Sequence, residues 1–416
     1  MISIKGFRAY RPPQDLVEKV ASVPYDVINK VEAQQLTNDN PYSFLHITRS
    51  EVDLPATTEV YSQAVYDMAR SNFLNFVEKG WLVQDDDESL YIYRQTMGEH
   101  VQTGIIALSS NEDYAENRIK KHEFTRPVKE QDRINNMKTA GIHPGPVFLT
   151  YRHVSEITEF VKHYTEQYKA VYDFIADDSI GHSLWCISDE SKVQELVKLF
   201  KQKVPASYIA DGHHRAASSA KVGNILAQEN KQHSDDASYN YFLTVLFPDN
   251  EMKILDYNRL VADLNGLTDT DFLKAIESDF TVSLIGTQAY RPEMPRCFGL
   301  YINKTWYKLI AKQHTYREDD PINTLDITTI SNHFLSKHLG IIDQRTDQRI
   351  DFVGGIRGLA ELEKRVDSGE WKMAISLHPV GINQLIEIAD SGEVMPPKST
   401  WFEPKLRSGL VVHRFA

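Results

Sequence analysis

Asp211-Gly212-His213-His214-Arg215 is the run whose residue types and spacing best suit anion chemistry. A short apolar segment, residues 206–210, precedes it, and residues 213–228 read as an Ala-rich helix. A strand that stops at Asp-Gly and enters a helix at once gathers backbone N–H groups at one point. Gly212 permits close backbone approach, and the positive helix end favours negative charge there. Arg215 suits a fork onto two phosphate oxygens, with His213 or His214 as a further donor. Asp211 alone repels a phosphate; it suits a helix cap, an orienter of histidine, or a ligand of a bridging Mg²⁺. The plain structural alternative is a capped helix with solvent-facing histidines.

A second constellation runs from Arg118 through Lys120, Lys121, His122, Glu123 and Arg126 to Lys129 and Arg133. Basic groups crowd one carboxylate in an otherwise acidic chain. Glu123 suits the acceptor of a hydroxyl proton, while His122, Arg126 and Lys129 suit substrate or phosphate charge. A metalloprotease helix is excluded, because Arg126 stands four residues after His122 where a second histidine belongs. A solvated, salt-bridged helix explains the same residues without function. Near the start, Pro24 fixes the approach to Tyr25 and Asp26; Asp26 suits Mg²⁺ or a substrate amino group, and equally a capping role in a turn. Towards the end, residues 392–400 imitate a P-loop, but Pro397 stands where a glycine belongs and two prolines remove N–H donors. Lys398, Ser399, Thr400 and Lys405 remain an anion-site candidate, against a loop docked by Trp401 and Phe402. His333 and His338, five apart, have the wrong helical spacing for a shared face and read as structural. The glycines at 354, 355 and 358 lack dinucleotide-binding spacing.

The Asp-Gly-His-His-Arg string resembles the phosphate-binding turn of the ParB/sulfiredoxin superfamily, which includes free serine kinases. Over nearly its whole length the chain also resembles a bacterial and archaeal family of unknown function described as SerK-like. Four strings carry this: Val-Pro-Tyr-Asp-Val-Ile at 23–28, Lys-His-Glu-Phe-Thr-Arg-Pro at 121–127, the turn at 211–215, and Met-Pro-Pro-Lys-Ser-Thr-Trp-Phe-Glu-Pro-Lys at 395–405. The resemblance implies a catalytic glutamate, for which Glu123 is the nominee. It does not extend to sulfiredoxin thiol chemistry, since His213 stands where those proteins carry cysteine. Nor is there the basic module that a DNA-clamping relative needs.

The elements that must position these residues are mixed. Strands are expected at 2–10, 90–95, 101–108, 147–151, 171–175, 183–187, 206–210 and 239–247, and helices at 15–21, 58–79, 155–168 and 191–203. A turn at 248–250 predicts a hairpin back through 253–256. The fold class is α+β: a mixed-sheet, ParB/sulfiredoxin-like core over residues 1–261, then a second α/β region over 262–416 whose last strand, 409–415, returns to the core. The length of 416 residues favours two or three domains. A content of 41% hydrophobic and 25% charged residues excludes wholesale disorder. The longest apolar runs are strand-sized, two distant cysteines favour a reduced compartment, and no secretory signal is visible; a cytoplasmic protein is expected. The formal charge of −12 argues against nucleic acid as a partner.

These readings converge on a phosphotransferase acting on free serine or phosphoserine, in either direction. Asp211, His213, His214 and Glu123 are its catalytic candidates; Gly212, Arg215, His122, Arg126, Lys129, Asp26, Lys398, Ser399, Thr400 and Lys405 are its binding candidates. Mg²⁺ is the expected metal, with Asp211 as ligand, and ATP, ADP or pyrophosphate the donor or acceptor. The alternative is a nucleotide-binding regulatory protein without turnover. Arg215, expected to meet ligand and not core, should be dispensable for folding.

Overall fold

The apolar runs around residues 90–108 and 241–247 become the centre of a nine-stranded mixed sheet. Its strands are β1 (Ile4–Lys5), β2 (Leu90–Met97), β3 (His100–Ser110), β4 (Ile119–Lys120), β5 (Val147–Tyr151), β6 (Tyr172–Ile175), β7 (Gly181–Ile187), β8 (Ser207–Asp211) and β9 (Tyr241–Pro248). The computed structural model describes residues 1–416 and divides them into two units. The first holds this sheet and comprises residues 1–121, 125–252 and 404–416; the second comprises 122–124 and 253–403. The fold is α+β.

Strand order in the first unit is β4-β8-β5-β9-β3-β2-β7-β6, with β1 also on β3. Only β4/β8 and β5/β9 run parallel. The β2–β3 hairpin turns through Gly98 at φ +60, a conformation that glycine adopts without steric cost. Helices α1 (Gln63–Glu78), α2 (Pro127–Ala140), α3 (Ser155–Gln167), α4 (Glu190–Lys203) and α5 (His213–Glu229) accompany the sheet. Ile157, Val161 and Tyr164 of α3 and Val193, Leu196 and Phe200 of α4 recur every three or four residues, and all join the core with Leu90, Ile92, Val147 and Leu149. Helix α2 starts with Pro127 at its first turn, where a missing N–H costs nothing, and stops at Gly141, φ +72.

The C-terminal segment lies in the first unit, where His413 and Arg414 pair with His143 and Ile142. His143 and His413 stack there with Nδ1 atoms 3.0 Å apart, both buried. Burial drives His143 well below the ordinary imidazole range and His413 down to about 3, so both rings are neutral near pH 7.

The second unit is built on a six-stranded, wholly antiparallel sheet: β10 (Tyr257–Val261), β11 (Phe280–Gly286), β12 (Cys297–Ile302), β13 (Thr305–Ala311), β14 (Ile350–Gly354) and β15 (Met373–Leu377), in the order β11-β13-β12-β15-β10-β14. Its main run begins at Lys253, within the stretch that the sequence reading assigns to the first region.

Two expectations need correcting. Helix α1 begins at Gln63, not residue 58. The strand Lys253–Leu255 does not fold back on β9; it pairs with Trp401–Glu403, while β9 is flanked by β3 and β5. A turn signal specifies a reversal, and the neighbours with unfilled strand edges decide who pairs. No helix is long and apolar enough to cross a membrane, and both cysteines are free.

Candidate functional site

Strand β8 ends in an irregularity. Ile209 pairs with Leu149 and Asp211 with Phe148, so Ala210 is the extra residue of a bulge immediately before the turn. Bulges re-aim the side chain that follows, and here that is Asp211. Gly212 then sits at φ +96, a region that side chains rarely adopt, and α5 starts at His213. A Cβ at Gly212 would stand 3.0 Å from Nε and 3.1 Å from Cζ of Arg215, so the glycine also makes room for the guanidinium.

Arg215 is 4% exposed. Its Nη1 donates to the Pro146 carbonyl, its Nη2 lies 3.8 Å from Asp211 Oδ2, and its Nε is buried with no acceptor. Burial works against its charge; Asp26, Asp211 and Tyr25 more than offset that. The expectation that Arg215 is dispensable for folding is therefore corrected: it belongs to the buried framework of the turn. Asp211 also takes Lys405 Nζ at 3.2 Å. One carboxylate at the head of the helix thus faces two cations. This arrangement does not suit Mg²⁺ at Asp211, because Lys405 and Arg215 already neutralise the carboxylate. No group of three or more His, Cys, Asp or Glu side chains is arranged to hold a metal ion.

His214 Nε2 accepts the backbone N–H of Arg126 at 2.9 Å, so that nitrogen is an acceptor and ties the turn to the start of α2. His213 is 7% exposed. Arg126 is the N-terminal flanking residue of α2, and Lys129 is exposed on its first turn.

A second pair of charges lies in the same unit. Arg133 Nε donates to Asp132 Oδ2 at 2.7 Å, its Nη2 binds the same oxygen, and Tyr66 donates to Asp132 Oδ1 at 2.9 Å. The Arg133 guanidinium stacks 4.4 Å from the centre of the Tyr25 ring. Burial first, with Asp26 and Asp132 adding to it, raises the Tyr25 hydroxyl to about 12 against the pull of Arg133 and Arg215. Asp26 is exposed.

The remaining candidates fall in the second unit. The His122 carbonyl accepts the N–H of Met395 at 2.8 Å, and Glu123 is half-buried. Lys398 adopts φ +58, and Ser399 spends its hydroxyl on the Pro396 carbonyl at 2.5 Å. Lys405 belongs to the first unit, where its Nζ meets Asp211. Beneath the 396–400 loop lies Arg259, 1% exposed, whose Nη2 donates to the carbonyls of Pro397 at 3.3 Å and Lys398 at 3.0 Å. The sequence reading passed over Arg259; a lone charge inside the strand Tyr257–Val261 was the available signal.

Residues 4–328, well over half of the chain, match the model of a protein family of unknown function, DUF1015. The chain belongs to the DUF1015 family. No curated protein matches this DUF1015 chain. Among solved structures it is similar to a conserved hypothetical protein from Pyrococcus furiosus, with 14% identity over 72% of this chain and 90% of that one, at a TM-score of 0.36. A free serine kinase in complex with AMP is similar at 13% identity, covering 72% and 86% of the two chains, TM-score 0.36. C-terminally truncated SbnI from Staphylococcus aureus is similar at 10% identity, covering 73% and 85%, TM-score 0.38. Likeness at these TM-scores does not establish a core shared with the DUF1015 chain.

Proposed function

We propose that the first unit carries a small-molecule phosphotransferase site acting on free serine or phosphoserine, on a core of the ParB/sulfiredoxin type. The observation that carries the reading is the β8–α5 turn: Gly212 at φ +96 opens a long helix, with Arg215 and Lys405 both on Asp211. A phosphoryl group arriving there meets the positive end of α5. In this reading Lys405 exchanges Asp211 for a phosphate oxygen when the phosphoryl group arrives. Arg215, buried and held by Pro146, contributes a fixed positive charge that needs no reorganisation during transfer. Phosphoryl transfer depends on such positioning and charge stabilisation more than on covalent catalysis. Asp26 is proposed for the substrate amino group. Glu123, the general base that the sequence resemblance nominates, belongs to the second unit, and no part in this site is proposed for it.

The direct test is incubation with serine plus ATP, ADP or pyrophosphate, and separately with phosphoserine plus ADP or water, followed by phosphorus NMR. Transfer in at least one mixture is expected. Tight ADP binding with no transfer in any mixture would replace the reading by a nucleotide sensor. Salt-sensitive DNA binding without transfer would replace it by a nucleic-acid function.

A further inference from the structure

Lys405 reaches the turn from near the end of the chain, and the residues that hold its backbone are themselves buried. Gln95 on β2 and Gln102 on β3 face each other across the hairpin, both fully buried. Gln102 Nε2 donates to Gln95 Oε1 at 3.0 Å, and Gln95 Nε2 donates to the Lys405 carbonyl at 2.9 Å. Two residues back on the same face of β2, Tyr93 is hydrogen-bonded to the Arg407 backbone. The Arg407 guanidinium binds Asp178, Ser408 exchanges backbone hydrogen bonds with Ser22, and Val412 does so with Tyr10. Residues 404–416 thus form a strap whose register is fixed at successive points on the first unit. Gly145 gives it room beside the turn: a Cβ there would stand 2.9 Å from Ser408 Oγ and 3.8 Å from Arg215 Nη1. A slip of one residue would replace Lys405 at Asp211 by Pro404 or Leu406, neither of which carries a charge. Burying two amides in a strand pair is costly unless their polar atoms are used. An apolar pair would serve the hairpin as well, and what the amides add is a donor aimed at one carbonyl 310 positions away.

We propose that Gln95 is the positioning residue of Lys405: its amide fixes the strap and so keeps the ammonium at the β8–α5 turn, on Asp211 at 3.2 Å until an anion takes it. The Lys405 side chain is mostly buried, so a shift of its backbone is passed on to the ammonium and not absorbed by a change of rotamer. A cation placed in advance need not be gathered when charge develops. That the anion is a phosphoryl group rests on the phosphotransferase reading; that Gln95 sets Lys405 does not.

The test uses the full chain with inorganic phosphate as the probe, and nitrogen-15 NMR of labelled lysine ammonium groups, with Lys405→Met to assign the Lys405 resonance. Gln95→Met keeps the length of the side chain and removes its donor. It should weaken phosphate binding in calorimetric titration by about 5–10-fold, the worth of one buried hydrogen bond, and shift or broaden the Lys405 resonance. In the double variant Gln95→Met should add nothing to the loss from Lys405→Met, because it acts through that lysine. Gln95→Glu gives a second reading, and decides the matter if Gln95→Met does not fold. A protonated carboxyl donates to the Lys405 carbonyl and an ionised one cannot. Its affinity relative to wild type should therefore be about 5–10-fold lower at pH 8 and recover towards pH 5, which a general loss of packing would not reproduce. Additive losses in the double variant, a Lys405 resonance indifferent to Gln95→Met, or a Gln95→Glu deficit independent of pH overturns the inference. A resonance that responds to Gln95→Met in a chain that binds no phosphate upholds it and removes the phosphotransferase reading.

Discussion

Gly212→Ala tests how tightly the turn is coupled to its arginine. At φ +96 an alanine is strained by about 1–3 kcal/mol. Its Cβ would also come within 3.0–3.3 Å of three Arg215 side-chain atoms. That guanidinium is buried and hydrogen-bonded to Pro146, so it has little room to give. Overpacking of this kind costs a further ~1–3 kcal/mol. The single variant should therefore lose about 2–6 kcal/mol of stability. Arg215→Ala alone removes a charge-assisted hydrogen bond and leaves a void, for about 3–5 kcal/mol. In the double variant the Cβ meets space instead of nitrogen, and only the backbone strain remains from Gly212→Ala. A double-mutant cycle by urea denaturation, followed by circular dichroism, should thus give a coupling of about 1–3 kcal/mol. Strict additivity, within about 0.5 kcal/mol, would refute the account of Gly212 as the seat of the guanidinium.

Two further predictions concern acid. Asp279, 1% exposed in the second unit, accepts from Ser278 and Lys337 at 2.6 Å and meets His314, His338 and His333 at 3.1, 3.2 and 3.3 Å. Burial opposes its ionisation, but the hydrogen bonds from Lys337, Ser278, His314 and His338 outweigh it and hold the carboxyl well below its ordinary range. Its stabilisation is then complete above the unfolded value of about 3.9 and is lost as pH falls through the folded one. Asp279→Asn should cost about 3–5 kcal/mol at pH 7 and flatten the acid limb of Tm against pH; an unchanged limb would count against it. For His413 the neutral form is the buried one, so its stabilisation is complete above the unfolded value of about 6.5 and declines as pH falls towards its folded value near 3. Denaturation at pH 7, 6, 5 and 4 should show a slope of about 1.4 kcal/mol per pH unit from this group. His413→Phe should remove that slope, and a slope indifferent to the substitution would disprove the assignment.

Much of the local structure was legible in the chain. Strand β5 lies at 147–151 as its apolar run predicts, α3 and α4 follow their three-and-four periodicity, and the Asp-Gly turn separates β8 from α5. These features are set by steric and hydrogen-bonding preferences over a few residues, which a sequence displays directly. Spacing misled where the helix was irregular. His333 and His338 look unable to share a face at five residues apart, yet both reach Asp279 because Ser331–Ser336 is a π-helix, whose i→i+5 bonding stacks residues at that interval.

What the amino-acid order determined by itself was the period of each element, the glycine that must turn, and the residue types available for anion chemistry. What only the tertiary structure decided was partnership. Lys405 meets Asp211 across 194 positions, Arg133 lies against Tyr25, and Lys253–Leu255 pairs with Trp401–Glu403 and not with the nearer strand. It also decided that Arg215 is core. Whether a charge faces water or is sealed by Pro146 and Gly212 depends on chain segments far away in sequence, and the free energy of burial is set only once they have packed.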